Sequence, residues 1–220
     1  METAVQVSRS FTLEENLKVI SPRHTAANGW GTGTVDMGER ENQAAPNLTV
    51  ATNADVPAVV NLMNRAFRGR GADASWSTEE RYIEGTRTSE DLLREEMAGR
   101  RDARLLLWRK PDSALLGCVW MQPEENDVWY LGSLTIAPHE QKAGLGRMLL
   151  AAAEDWALAR GAQEIKMTVV HVRAALLEWY ARRGYSLNGE TRPFPYGDER
   201  YGKPTRDDLY LVVLSKRLTS

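Results

Sequence analysis

Cysteine is almost missing from this chain: among 220 residues there is one, Cys118. A single thiol excludes an intrachain disulfide and any metal site built from several cysteines. It lies in the apolar run Leu115-Leu116-Gly117-Cys118-Val119-Trp120-Met121 and is read as a buried structural thiol. Histidine is scarce too: His24, His139 and His171 are scattered and predict no metal site. No uninterrupted apolar run approaches the ~18 residues of a membrane-spanning helix. Residues 1–10 lack the apolar stretch of a secretory signal, so the expected location is cytoplasmic. Neither charge dominates: the formal net charge is -2 and the isoelectric point is near 6.0, without the basic footprint expected of a nucleic-acid or membrane-surface binder. What remains is 42% hydrophobic and 26% charged, which suits one α/β domain with an appendage.

The appendage comes first. Residues 1–46 are polar, with no sustained apolar period, and are expected to form a disordered or loosely ordered extension to a domain at 47–220. The piece Asn28-Gly29-Trp30-Gly31-Thr32-Gly33 reads as linker, because no strand precedes it and no helix follows it. In the domain a strand is expected at 48–51. Asp55 is placed to cap a helix opening with Val56-Pro57, with Val59, Val60, Leu62, Met63 and Phe67 on its apolar face. The charged stretch 68–101 is expected to be helical near 77–83 and 89–97. Strands follow at 104–108, 115–121 and 128–136. A helix over 144–160 carries Leu145, Met148, Leu149, Ala152 and Trp156 at steps of three and four. Ile165, Met167 and Val169 alternate in the next strand. A helix at 173–183 is expected to bury Ala174, Leu177, Tyr180 and Ala181, before strands at 185–187 and 209–214. This order predicts an α+β layout on a mixed sheet.

The stretch that carries chemistry is Leu134-Thr135-Ile136-Ala137-Pro138-His139-Glu140-Gln141-Lys142-Ala143-Gly144-Leu145-Gly146-Arg147: strand, short loop, helix start. Glycines there let the backbone approach a ligand closely. The first turn of a helix adds unpaired N–H groups and the positive end of the dipole, which together receive a phosphate or pyrophosphate. Lys142 and Arg147 add charge at the rim. The absence of Gly-Lys-Ser/Thr excludes a nucleoside-triphosphate P-loop, and the missing third glycine argues against a Rossmann site.

This stretch resembles the acetyl-CoA motif of the GNAT superfamily of N-acetyltransferases, Arg/Gln-x-x-Gly-x-Gly/Ala after a strand ending in hydrophobic-x-Pro. A second element agrees: Leu177-Glu178-Trp179-Tyr180-Ala181-Arg182-Arg183-Gly184-Tyr185 resembles the later motif, a helix tyrosine four residues ahead of a glycine–aromatic pair. The resemblance spans about 48–218. Within the superfamily the chain is similar to a group of small acetyltransferases sharing Trp76-x-Thr78-Glu79, Gly85-x-Arg87-Thr88 and Gly189-Glu190-x-x-Pro193-Phe194-Pro195.

The resemblance implies a GNAT fold: a mixed, mostly antiparallel sheet, splayed in the middle and flanked by helices on both faces. It implies acetyl-CoA as co-substrate and no metal, with acetyl transfer to a primary amine by direct attack through a tetrahedral intermediate. The pantetheine arm would bond the backbone at Leu134, Thr135 and Ile136. The pyrophosphate would sit on the N–H groups of Gln141, Lys142, Ala143, Gly144, Leu145, Gly146 and Arg147. A backbone N–H near Leu134 would hold the oxyanion, and Tyr180 would protonate the departing thiolate. Arg173 stands where many members carry a cofactor-binding asparagine, and could touch a CoA phosphate or the pantetheine carbonyls. Glu79, Glu80, Glu190 and His171 are the candidate bases, with Glu79 and His171 foremost. Trp76, Arg87, Phe194 and Tyr196 are expected to line the acceptor pocket. The implied acceptor is a small-molecule amine and the implied assembly a monomer or homodimer. A silent acyl-CoA-binding or sensor module, or a protein or peptide acetyltransferase, is the alternative.

Overall fold

The computed structural model describes residues 46–71, 75–141, 144–198, 200 and 202–219. The expected extension, including its glycine-rich piece, lies outside them. In chain order the elements are β1 (Leu48–Val50), α1 (Val56–Arg68), β2 (Ile83–Glu84), α2 (Glu90–Gly99), β3 (Arg104–Arg109), β4 (Leu115–Pro123) and β5 (Val128–Ile136). They continue with α3 (Leu145–Leu158), β6 (Glu164–Val170), α4 (Ala174–Ala181), β7 (Ser186–Pro193), β8 (Lys203–Pro204) and β9 (Tyr210–Arg217). Seven strands form one sheet in the order β1-β3-β4-β5-β6-β9-β7, and β2 pairs with β8. β5 and β6 run parallel; the other neighbours in the sheet are antiparallel.

Helices cover both faces, which explains the continuous apolar run of β3. Leu105 and Leu107 pack with Val59, Met63 and Leu93 of α1 and α2. Leu106 and Trp108 point the other way, toward Leu145, Leu149 and Ala153 of α3 and Tyr180 of α4. A strand buried on both sides loses the polar alternation of a half-exposed one. Cys118 is fully buried, and burial pushes its thiol up to about 12, so it has no thiolate to react with near neutral pH.

Several local expectations are corrected. Residues 77–83 form turns rather than a helix. Thr78 Oγ1 donates to the Phe67 carbonyl at 3.1 Å and Glu79 N–H to the same oxygen at 2.9 Å, so the first part of the segment bonds to the end of α1 and only single turns, such as Ile83 N–H to the Glu79 carbonyl at 3.0 Å, close within it. Asp55 does not cap α1 with its side chain: Oδ2 takes the Thr52 N–H at 2.7 Å and Oδ1 takes Arg109. The buried stripe of α3 is Leu145, Leu149, Leu150, Ala153 and Ala157, turned from the predicted one, so Met148, Ala152 and Trp156 lie at its margin. α4 buries Tyr180 fully, whereas Ala174 and Ala181 are exposed. β7 runs well past 187, because Asn188-Gly189-Glu190 is not a terminating turn but a register shift within an edge strand, with Gly189 at φ 88°.

Candidate active site

β5 and β6 pair only at residues 128–130 against 164–166. Beyond that point β5 stays with β4 and β6 stays with β9, so the sheet opens into a wedge. Tyr130 Oη and Thr168 Oγ1 meet at 3.0 Å where the strands part. On β5 the register slips by one: Cys118 faces Thr135 while Trp120 faces Gly132, so Ser133 and Leu134 together oppose Val119. Ser133 takes φ 50°, a left-handed conformation uncommon outside glycine. Such a bulge removes backbone groups from the ladder, and both bulge residues line the wedge.

α3 begins across the loop from this bulge. Its N-terminal cap is Gly144 at φ 77°, where a side chain would be strained by about 1–2 kcal/mol. The N–H groups of Arg147 and Met148 return to the Gly144 carbonyl at 3.0 and 3.2 Å. Those of Leu145 and Gly146 have no place in the helical ladder and sit at the positive end of the helix dipole. Gln141 spends its side chain elsewhere. Its Nε2 donates to the Ile136 carbonyl at 3.1 Å and to Ser75 Oγ at 2.9 Å, and its Oε1 accepts from the Trp76 N–H at 3.3 Å. It thus fastens the loop at Ser75 to the end of β5. Lys142 and Ala143 lie outside the described residues.

α4 forms the next wall. Tyr180 is 6% exposed and meets Trp179 and Tyr185 edge-on at 4.9 and 5.7 Å. Burial pushes its phenol up to about 12. The Arg183 guanidinium stacks on the Trp179 ring at 3.5 Å and donates through Nη1 to the Trp179 carbonyl. Its Nε is buried with no hydrogen-bond partner among the described residues. Burial lowers the Arg183 guanidinium, and the nearby charges of Arg182 and Arg147 lower it further. Positive charge is therefore crowded beside the glycine turn.

The opposite end of the wedge is built on Glu79. Arg68 Nη1 reaches Glu79 Oε2 at 2.6 Å and Arg173 Nη1 reaches Oε1 at 2.7 Å, with all three side chains at most 9% exposed. Arg173 also donates to the Ser77 carbonyl. Burial alone would push the Glu79 carboxyl up, but Arg173, Arg68 and Arg87 together outweigh it and hold the group below the usual carboxylate range. Arg87 and Arg173 both stand over the Phe67 ring, at 5.3 and 5.9 Å.

These parts line one cleft of about 1270 Å³. Of the residues singled out in the sequence it brings together Leu134, Thr135, Ile136, Gln141, Gly144, Leu145, Gly146, Arg147, Arg173 and Tyr180, together with Trp76, Glu79, Arg87 and Phe194. His171 and Tyr196 are not among the lining residues. His171 stacks on Tyr210 at 3.9 Å, and Tyr196 Oη clasps its own loop, accepting from the Leu209 N–H at 2.6 Å. Glu80 faces Arg70, and Glu190 faces Lys166. Arg68, Glu96 and Arg183 also line the cleft; no role was assigned to them from the sequence, where Arg68 ends α1, Glu96 lies within α2 and Arg183 falls in the turn after α4. Among the described residues no group of His, Cys, Asp and Glu is arranged to hold a metal ion, and no helix is long and apolar enough to cross a membrane.

The profile of the acetyltransferase (GNAT) family matches residues 58–185. The chain belongs to this family. GNAT enzymes are acyltransferases that draw the acetyl group from acetyl-CoA. Solved GNAT structures share the fold at low identity. A chimera of a Vibrio cholerae spermidine N-acetyltransferase and hSSAT is 16% identical with TM-score 0.57, covering 79% of this chain and 96% of its own. A ribosomal-protein-alanine N-acetyltransferase from Brucella melitensis is 21% identical with TM-score 0.56, covering 78% and 99%. A GNAT acetyltransferase from Elizabethkingia anophelis, solved with acetyl-CoA bound, is 16% identical with TM-score 0.50, covering 59% and 84%. No curated protein matches the chain. The GNAT fold expected from the two motifs is therefore present, with its mostly antiparallel sheet, central splay and helices on both faces.

Proposed function

We propose that this GNAT enzyme transfers the acetyl group of acetyl-CoA to the primary amine of a small molecule. One observation carries the reading: the glycine turn, the bulge in β5 and the Tyr180 ring converge on a single cleft at the splay. The residues fit the co-substrate. The buried, unpartnered Nε of Arg183, the neighbouring Arg147 and Arg182, and the N–H groups of Leu145 and Gly146 together suit a pyrophosphate. The thioester would then lie near Ser133 and Leu134, where a bulge N–H can hold the oxyanion as the amine attacks. Tyr180, protonated throughout the neutral range, would supply the proton to the leaving sulfur.

Glu79 has a different task from accepting a proton. Both its oxygens are engaged by arginines and its carboxyl is held low, so it is a weak base and a strong anchor. The positive surroundings do part of a base's work instead, because they favour the neutral, nucleophilic form of a bound amine. A pH profile checks this. For a series of acceptors, kcat/KM should rise tenfold per pH unit and level off at a pH that follows each acceptor's own pKa. A plateau at one fixed pH for every acceptor would instead reveal a dedicated basic side chain.

The reading as a whole is tested by incubating the protein with acetyl-CoA and a panel of primary amines and measuring free thiol. Amine-dependent thiol release is the expected result. Tight acetyl-CoA binding with no release for any amine or peptide would identify a silent acyl-CoA-binding module.

A further inference from the structure

The cleft is basic although the chain is acidic overall. Among the described residues seven arginines and three glutamates line it, against a formal net charge of -2 for the whole sequence. Arg147, Arg182 and Arg183 cluster by the glycine turn and are accounted for by the phosphates of the co-substrate. The remaining wall, from α1, the segment at Ser75, the stretch between β2 and α2, α2 with the residue that ends it, and the start of α4, carries Arg68, Arg87, Arg100 and Arg173 against Glu79 and Glu96. Counting every one of these charges, positive exceeds negative by two, whichever pairs form within the group.

The arrangement is built rather than incidental. Both oxygens of Glu79 are occupied, by Arg68 and Arg173. Arg87 shares the Phe67 ring with Arg173, and its N–H is fixed by Asn64 Oδ1 at 2.6 Å. Burial depresses the Arg68 guanidinium, Glu79 partly restores it, and the charges of Arg87 and Arg173 depress it again. Three guanidinium groups thus crowd around one saturated carboxylate in a half-dry pocket. Such an excess repels a polycation and is relieved by an anion. A guanidinium fork matches a carboxylate in a planar, bidentate way.

We propose that the acceptor is an amino carboxylate: a primary amine whose skeleton also carries a carboxylate, received by the Arg87 side of this wall. Glu79 acts as a positioning residue, holding Arg68 and Arg173 in place beneath the ligand. The substrate class rests on the acetyl-transfer reading above. Placed so, the carboxylate ties down one end of the acceptor while its amine faces the bulge in β5. A polyamine would bring its second ammonium against four arginines.

The test compares acceptors that differ only in the anionic group: an amino acid, its amide, and the corresponding amine without the carboxylate, each with acetyl-CoA. The expected result is a kcat/KM at least about 30-fold higher for the carboxylate form, from the loss of a charge-assisted bidentate contact in the other two. Arg87→Gln should shrink that ratio toward one, and Arg87→Lys should restore part of it. Amides or simple amines serving equally well would overturn the substrate class while leaving acetyl transfer intact. A second arm needs no turnover: calorimetric titration of the CoA-loaded protein with an N-acetylamino acid and with its amide. Binding of the acid alone, weakened by Arg87→Gln, would support the carboxylate site even if no amine were acetylated. Equal binding of both, or of neither, would sink it.

Discussion

Replacing Glu79 with glutamine is expected to remove about 3 kcal/mol of unfolding free energy, a large share of what a domain of this size possesses. The variant keeps the shape and one acceptor oxygen but deletes the charge that Arg68 and Arg173 both contact, at 2.6 and 2.7 Å. Two buried guanidinium groups are then left facing one another and Arg87 with their common counter-ion gone. Breaking a buried ion pair from one side typically costs about 3–5 kcal/mol, and the retained amide oxygen argues for the lower figure. Urea unfolding of the two proteins at neutral pH measures the difference. Its pH dependence has a definite sign. The folded-state carboxyl of Glu79 is held below its ordinary value of 4.5, so the stabilisation is fully present above that value and is lost as pH falls through the lower, folded one. The parent and variant curves should therefore converge in acid. A variant as stable as the parent at neutral pH would mean that the three side chains are held by packing rather than by charge.

Tyr180→Phe should lower turnover by about 10²-fold and leave the Michaelis constant for acetyl-CoA nearly unchanged. The ring keeps its edge contacts with Trp179 and Tyr185, so the fold should hardly notice the change. What is lost is the proton offered to the sulfur as it leaves. General-acid contributions of this kind span roughly 10²–10⁴. The lower end applies for two reasons: a thiolate already leaves readily, and burial raises the phenol to about 12, making it a weaker donor than a solvated tyrosine. Steady-state kinetics on any acceptor decides the matter. Turnover within about twofold of the parent would reduce Tyr180 to a packing residue.

The features legible in the sequence were those set by local chemistry. Gly144-x-Gly146 ahead of an apolar helix announces an open helix start, and β5 was delimited correctly because its apolar run ends at a proline. Tyr180 is singled out by the motif it shares with Gly184, and it lines the cleft. What stayed hidden depends on partners distant in the chain. Glu79 meets Arg173 across ninety-four positions, and no periodicity links them; likewise the Phe67 carbonyl, eleven and twelve positions back, draws Thr78 and Glu79 out of the helix expected at 77–83. Arg173 precedes α4 and lines the cleft as expected, and its bonds to Glu79 and to the Ser77 carbonyl have no signal in the sequence. Gln141 matches the motif, and nothing in the sequence shows that its side chain braces the loop at Ser75. Asn188-Gly189-Glu190 has turn composition, which is equally the composition of a bulge. In each case residue type is informative, and what the side chain touches is set by tertiary contacts.

The central claim, that the turn before α3 receives the pyrophosphate of acetyl-CoA, is tested most directly by titrating acetyl-CoA into the parent and into Gly146→Asp by calorimetry. Position 146 is the one to change, because it does not share the left-handed backbone of Gly144 and an added Cβ meets only the Trp179 ring edge, at 3.4 Å. An aspartate in the first turn of a helix is also electrostatically welcome, so the melting temperature should stay close to the parent's. Its carboxylate would occupy the position proposed for the phosphate oxygens and repel them. A loss of affinity of at least about 100-fold is expected, in a protein that remains folded. An unchanged affinity in a well-folded Gly146→Asp protein would contradict it, and the co-substrate would have to be sought elsewhere along the cleft.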